Sequence, residues 1–249
     1  ALSQAASIGY DARSRPTSVT TRNGQTINFT YDNLDRLTRL SAPEGDVNMT
    51  YDAVGRMLTA NSYNATSLAM TYDAADRVSR VVETLPNGYG VALGYEFDAN
   101  GNRTSMTTPW GSFSYAYDAH DRVTSIANPQ GQAVAFTYDA LGRRTRLAYP
   151  NGAETSYAYD AAGQLTQVLH RRTADQTAIA FANYDYDMSG NRIRIADQNG
   201  GHDFVYDPLN RLTAAGHPAA SSLPVKAETF GYDAVGNRTA DAQRSGYAY

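Results

Sequence analysis

Tyr138-Asp139-Ala140-Leu141-Gly142-Arg143 decides the fold of this 249-residue chain, because it is one of eleven versions of the same phrase. An aromatic residue followed directly by Asp recurs at Tyr10, Tyr31, Tyr51, Tyr72, Phe97, Tyr117, Tyr138, Tyr159, Tyr186, Tyr206 and Tyr232, mostly at intervals of 20 or 21 residues. A fixed period of that size marks a repeat architecture, in which each unit is one supersecondary element and stability comes from stacking neighbours. A feature present eleven times is scaffold, so these Tyr-Asp pairs read as turn residues and not as acid–base dyads.

With the aromatic at position zero, position plus four is Gly55, Gly101, Gly142, Gly163, Gly190 or Gly236, and otherwise Asp35, Asp76, Asp121, Asn210 or Ser14. Gly, Asn and Asp tolerate positive φ, which predicts a left-handed residue there. Asp at plus one, as in Asp32, Asp52, Asp160 and Asp233, bonds back to the following amides, and Pro208 at plus two suits a type I turn. The pattern predicts a four-residue hairpin loop that pairs position zero with plus five.

The residues before each motif alternate with period two, as in Ile27-Phe29-Tyr31 and Val134-Phe136-Tyr138, which predicts strands with one buried and one wetter face. Thr or Ser at plus seven and an apolar residue at plus nine extend the aromatic face on the returning strand. The apolar residue at plus six (Leu37, Met57, Val78) falls on the opposite face in this register and calls for cover of its own. Arg occupies plus five in seven copies, such as Arg36, Arg56 and Arg143. Three copies read Gly-Asn-Arg, which moves the arginine one place (Arg103, Arg192, Arg238) and turns it to the other face. A second glycine falls fourteen residues after the aromatic at Gly24, Gly45, Gly111, Gly131, Gly152 and Gly200, and closes each unit with another hairpin turn. Extra residues at 85–90, 170–178 and 216–226 all fall at this second turn, so they emerge along one edge. The fold expected is all-β: an antiparallel meander of about eleven hairpins, read as a single array over residues 1–249.

Composition narrows the function classes. Net charge is −4 with pI about 5.5, and no basic stripe marks a nucleic-acid surface. Cysteine is absent, which removes disulfides and thiolate metal sites. No run of 18 apolar residues predicts a membrane span, and no leader opens the sequence. The four histidines (His120, His170, His202, His217) stand apart in sequence and are expected to be solvated, and no catalytic, cofactor or metal motif is recognisable. Trp110, the only tryptophan, precedes Gly111 and is expected to pack at a hairpin end, with sugar stacking as the alternative.

The units Tyr51-Asp52-Ala53-Val54-Gly55-Arg56, Tyr138 to Arg143, and Tyr232-Asp233-Ala234-Val235-Gly236-Asn237-Arg238-Thr239 resemble the YD repeat of the RHS family. That family includes bacterial polymorphic toxins, the shell components of insecticidal toxin complexes, and teneurins. The resemblance covers the whole chain and implies a curled, spirally wound ribbon that forms part of a hollow shell. It further implies a C-terminal toxin or effector enclosed by that shell, and a secreted or cell-surface location reached through a bacterial secretion system. The self-cleaving Asp-Pro-x-Gly plug of toxin members is not matched, because Asp207-Pro208-Leu209-Asn210 lacks the glycine. Gly246-Tyr247-Ala248-Tyr249 stops where the next Asp would come, which suggests a section of a longer shell. No enzyme activity and no cofactor are expected. Self-association through open strand edges is expected. The alternative function is a carbohydrate-binding or adhesin array.

Overall fold

A computed structural model describes residues 6–218, 227–241 and 244–245. The strand pairings described are antiparallel, and the described residues contain no helix. Twenty-one strands form an open meander, and Gly231–Tyr232, Arg238–Asp241 and Arg244–Ser245 form a smaller sheet. Two compact units divide the chain. One holds residues 1–122 with 126–131, and the other holds 123–125 with 132–249. In the first, successive hairpins run from Ser7–Tyr10 to Gly111–Tyr117; in the second they run from Ala133–Tyr138 to Ala227–Thr229.

The period-two sequence is the reason these segments are strands. In Thr26–Tyr31 and Ala133–Tyr138, the residues at zero and minus two (Phe29, Tyr31, Phe136, Tyr138) are half-buried, while Thr30 and Thr137 between them are exposed. Along these strands the apolar positions have a neighbour on each side and are mostly half-buried. Among the described residues only Leu147 and Ala215 are buried hydrophobics.

The register differs from the expected one. Tyr31 lies opposite Leu37 at plus six, not opposite Arg36, and Thr30 lies opposite Arg39 at plus eight. Thr38 at plus seven is the unpaired extra residue of a β-bulge. The same shift recurs at Tyr51↔Met57, Tyr72↔Val78, Tyr138↔Arg144 and Tyr206↔Leu212. A bulge reverses the alternation of side chains, so plus six and plus nine now share the face of the aromatic. Leu37, Met57 and Val78 thus need no separate cover, and their apparent misplacement came from pairing the aromatic with plus five when its partner is plus six. The displaced threonine bonds back across the hairpin: Thr38 Oγ1 donates to the Thr30 carbonyl at 3.2 Å, and Thr213 Oγ1 to that of Val205 at 3.1 Å.

At the second edge, Gly45 and Gly111 close two-residue turns at φ 134° and 119°. A Cβ on Gly45 would lie 2.1 Å from Tyr63 Cγ, so the glycine admits the ring of the next hairpin. The additional residues at 85–90 and 170–178 mostly lengthen strands. Leu165–Arg172 and Ala178–Tyr186 reach 8 and 9 residues. The third insertion is described only to Pro218, and the rest lies outside the described residues.

Candidate functional site

Each motif turn is a small hydrogen-bonded cage around one aspartate. In the Tyr31 repeat the Asp32 amide donates to the Arg36 carbonyl at 2.9 Å, and the Asp35 amide donates to the Asp32 carbonyl at 3.1 Å. Asp32 Oδ1 accepts the amides of Leu34 and Arg36, while Oδ2 accepts Arg36 Nε at 2.7 Å. The amides can converge because the plus-four residue is left-handed, and all eleven copies have φ between 59° and 96° there. The same cage surrounds Asp52, Asp73, Asp139 and Asp207. These donors hold the carboxyls below the ordinary range. At Asp11 the Arg15 amide is the chief cause, with the Arg15 guanidinium next. At Asp118 the Arg122 side chain leads, and the value falls to about 2.

The cages are tied to one another. Six plus-five guanidinium groups lie over the motif ring of the next repeat at 4.5–4.9 Å, from Arg15 on Tyr31 to Arg211 on Tyr232. Some also reach the next turn, as Arg56 Nη1 does to Asp76 Oδ1 at 2.5 Å and Arg36 Nη1 to the Asp52 carbonyl at 2.9 Å. The motif hydroxyl points backwards. Tyr51 OH donates to the Leu37 carbonyl, Tyr159 OH to that of Arg144 and Tyr232 OH to that of Leu212. Nine tyrosines make this bond to the plus-six carbonyl of the preceding repeat, at 2.7–3.2 Å. In Gly-Asn-Arg copies the asparagine replaces the arginine: Asn191 Nδ2 donates to Asp187 Oδ2 and to Asn210 Oδ1. The repeat motif is therefore a clamp between neighbours as well as a turn, and spacing alone gave no sign of the second role.

The displaced arginines go to the aromatic face. Arg103 lies 4.6 Å from the Tyr115 ring and Arg192 5.6 Å from that of Tyr184. Arg144, which follows Arg143, lies 4.9 Å from the Tyr157 ring in the same way.

Two histidines are not solvated as expected. His202 and His217 meet Nδ1 to Nδ1 at 2.7 Å, with side chains 14% and 10% exposed. Asp197 and Glu228 stand 3.6 and 3.5 Å from their Nε2 atoms. The pairing arises because Asp203 lies opposite Gly216, which places 202 beside 217 across a hairpin. Among the described residues no group of three or more His, Cys, Asp or Glu could hold a metal. His170 bonds the hydroxyl of fully buried Thr155, and Trp110 is 75% exposed instead of packed. On the face opposite the rings, Glu154 is 3% exposed and bridges Arg146 and Arg171 at 2.5 Å.

Comparison with known proteins places this geometry. Residues 10–47, 72–112 and 117–154 match the RHS Repeat family, and residues 152–237 match the Teneurin YD-shell family. Double-stranded DNA deaminase toxin A of Burkholderia cenocepacia (strain H111) is 28% identical over 200 residues, covering 68% of this chain and 14% of that protein. The crystal structures of TcdB2-TccC3-Cdc42 and TcdB2-TccC3-TEV share the fold, with TM-scores of 0.69 and 0.68 at 17% and 18% identity. Each likeness covers 97% of this chain and 15% of that one, so the sequence spans about a seventh of the length of these relatives.

Proposed function

We propose, since the chain belongs to the RHS repeat family with its YD-shell relatives, that it is a section of a β-shell that holds a toxin or effector domain for extracellular delivery. The observation that carries the reading is the continuity of one half-buried aromatic face, locked repeat to repeat by phenol bonds. A sheet with such a face leaves apolar surface in water unless something covers it. A polypeptide held against the face would supply that cover. The clamps supply what a container needs, which is a wall whose units cannot separate one at a time. Nothing in the turn network calls for chemistry, because the Arg-clamped aspartates are engaged through both oxygens in holding their own loops. The role of the motif residues, from Tyr31-Asp32 to Tyr232-Asp233-Gly236, is on this reading wholly structural. A carbohydrate-binding array has only Trp110 in its favour, and that ring stands at a turn tip. Free strand edges would join further repeats of the same shell or a second copy.

The test is to express the longer protein with its C-terminal domain and digest it mildly. A domain that resists protease inside intact shell, and becomes sensitive when the shell is denatured, supports the proposal. Equal sensitivity with and without the shell rejects it.

A further inference from the structure

The arginines at plus five and plus six of the motif differ in electrostatic setting. Those at plus five are neutralised by the aspartate of their own turn. The four at plus six (Arg103, Arg144, Arg192, Arg238) lie opposite the motif aromatic, on the ring face, where the described residues offer none of them an ion pair. In Arg103 and Arg238 the Nε atom is also buried without a hydrogen-bond acceptor. That atom is out of a ligand's reach, so a bound acceptor would have to meet the Nη groups, which carry the remaining N–H donors of an unpaired cation.

At Arg103 a second irregularity coincides. Phe97 is the one motif aromatic without a hydroxyl, so the Val78 carbonyl lacks the phenol that caps its counterpart in nine other repeats. A concavity of about 380 Å³ opens at this place, lined by Val78, Tyr95, Phe97, Arg103 and Tyr117. One cationic donor, one uncapped acceptor and three rings thus converge on a space large enough for a side chain.

The geometry points to a seat for a carboxylate side chain of a polypeptide lying against the ring face, with Arg103 taking the carboxylate and the Val78 carbonyl taking a backbone N–H. Charge complementarity selects this occupant. The cation is held by ring faces on a hydrophobic surface, and a carboxylate beside an apolar residue satisfies both. The inference rests on the shell reading and adds to it: the lining would select acidic segments of whatever it holds.

The experiment titrates the isotope-labelled chain with acetyl-Glu-Phe-Glu-amide and with acetyl-Gln-Phe-Gln-amide, following amide resonances. Selective shifts at 93–97 and 103–106 with the glutamate peptide are expected. Arg103→Met keeps the apolar stem and should weaken binding about tenfold, the loss of one charge-assisted pair. Arg103→Lys should retain part of the affinity, and Phe97→Tyr should weaken it a few-fold by capping Val78. Equal affinity for the glutamine peptide, or an unchanged Kd in a folded Arg103→Met, overturns the seat. The shell reading fails separately: an enclosed domain that gains no protease protection rejects it even if the peptide binds, and a protected domain with an Arg103-independent peptide rejects only the seat.

Discussion

Two hairpins carry the same three-position grammar, plus five, plus six and plus eight, with different outcomes. Arg143, Arg144 and Arg146 follow Tyr138, while Asn191, Arg192 and Arg194 follow Tyr186. Position plus five is a charged clamp on Asp139 in the first and a neutral amide clamp on Asp187 in the second. Plus six rests on a ring in both. Plus eight meets Glu154, which is nearly inaccessible, in the first, but in the second it meets Asp203 at 3.8 Å with that carboxyl 70% exposed. Strand position therefore sends a guanidinium to the edge, to the rings or to the opposite face, and at plus eight the partner it meets decides how deeply the pair is covered.

The largest expected effect breaks the comparison at plus eight. Glu154→Ala should cost about 2–3 kcal/mol in denaturant melts, because two arginines lose their buried partner. Asp203→Ala should stay within about 0.5 kcal/mol, as exposed pairs do. Similar losses for the two would show that burial is not what separates the hairpins.

The backward hydroxyl comes next. Tyr159→Phe and Tyr206→Phe should each lose about 1 kcal/mol, the net value of one hydrogen bond. Circular dichroism melts of both would reveal any difference between a repeat that follows Arg144 and one that follows Arg192. Acid sharpens the contrast at plus five. Carboxyls depressed in the fold stabilise it fully above the unfolded value of 3.8, and that stabilisation is lost as pH falls toward about 2, where Asp118 titrates. The Arg-clamped turns should weaken with added salt through this window more than the Asn-clamped ones, which amide exchange near Asp118 and Asp187 would resolve. The smallest effect is Asn191→Arg, expected to change stability by less than about 0.5 kcal/mol while adding a cation to the edge.

The sequence made much of this legible. Positive φ at plus four followed from Gly, Asn and Asp recurring at one place, and the alternation before each aromatic gave the strands. The bulge was missed, although the apolar residue at plus six was its sign. A side chain on the wrong face of an otherwise regular strand means that one residue has been left out of the ladder. The phenol hook could not be read, since its acceptor is a backbone carbonyl and every residue has one. Nor could the His202–His217 contact, because it depends on which strands lie side by side across a turn.

The hook sits on the same border of the ribbon as the Asp cages. Tyr159 reaches the carbonyl of Arg144 and Tyr186 that of Leu165, both at 2.9 Å, although the second pair is separated by the longest spacer between consecutive motifs. Stitching along a single hem leaves the other hem free to take up slack. New segments could be acquired there generation after generation without loosening a stitch.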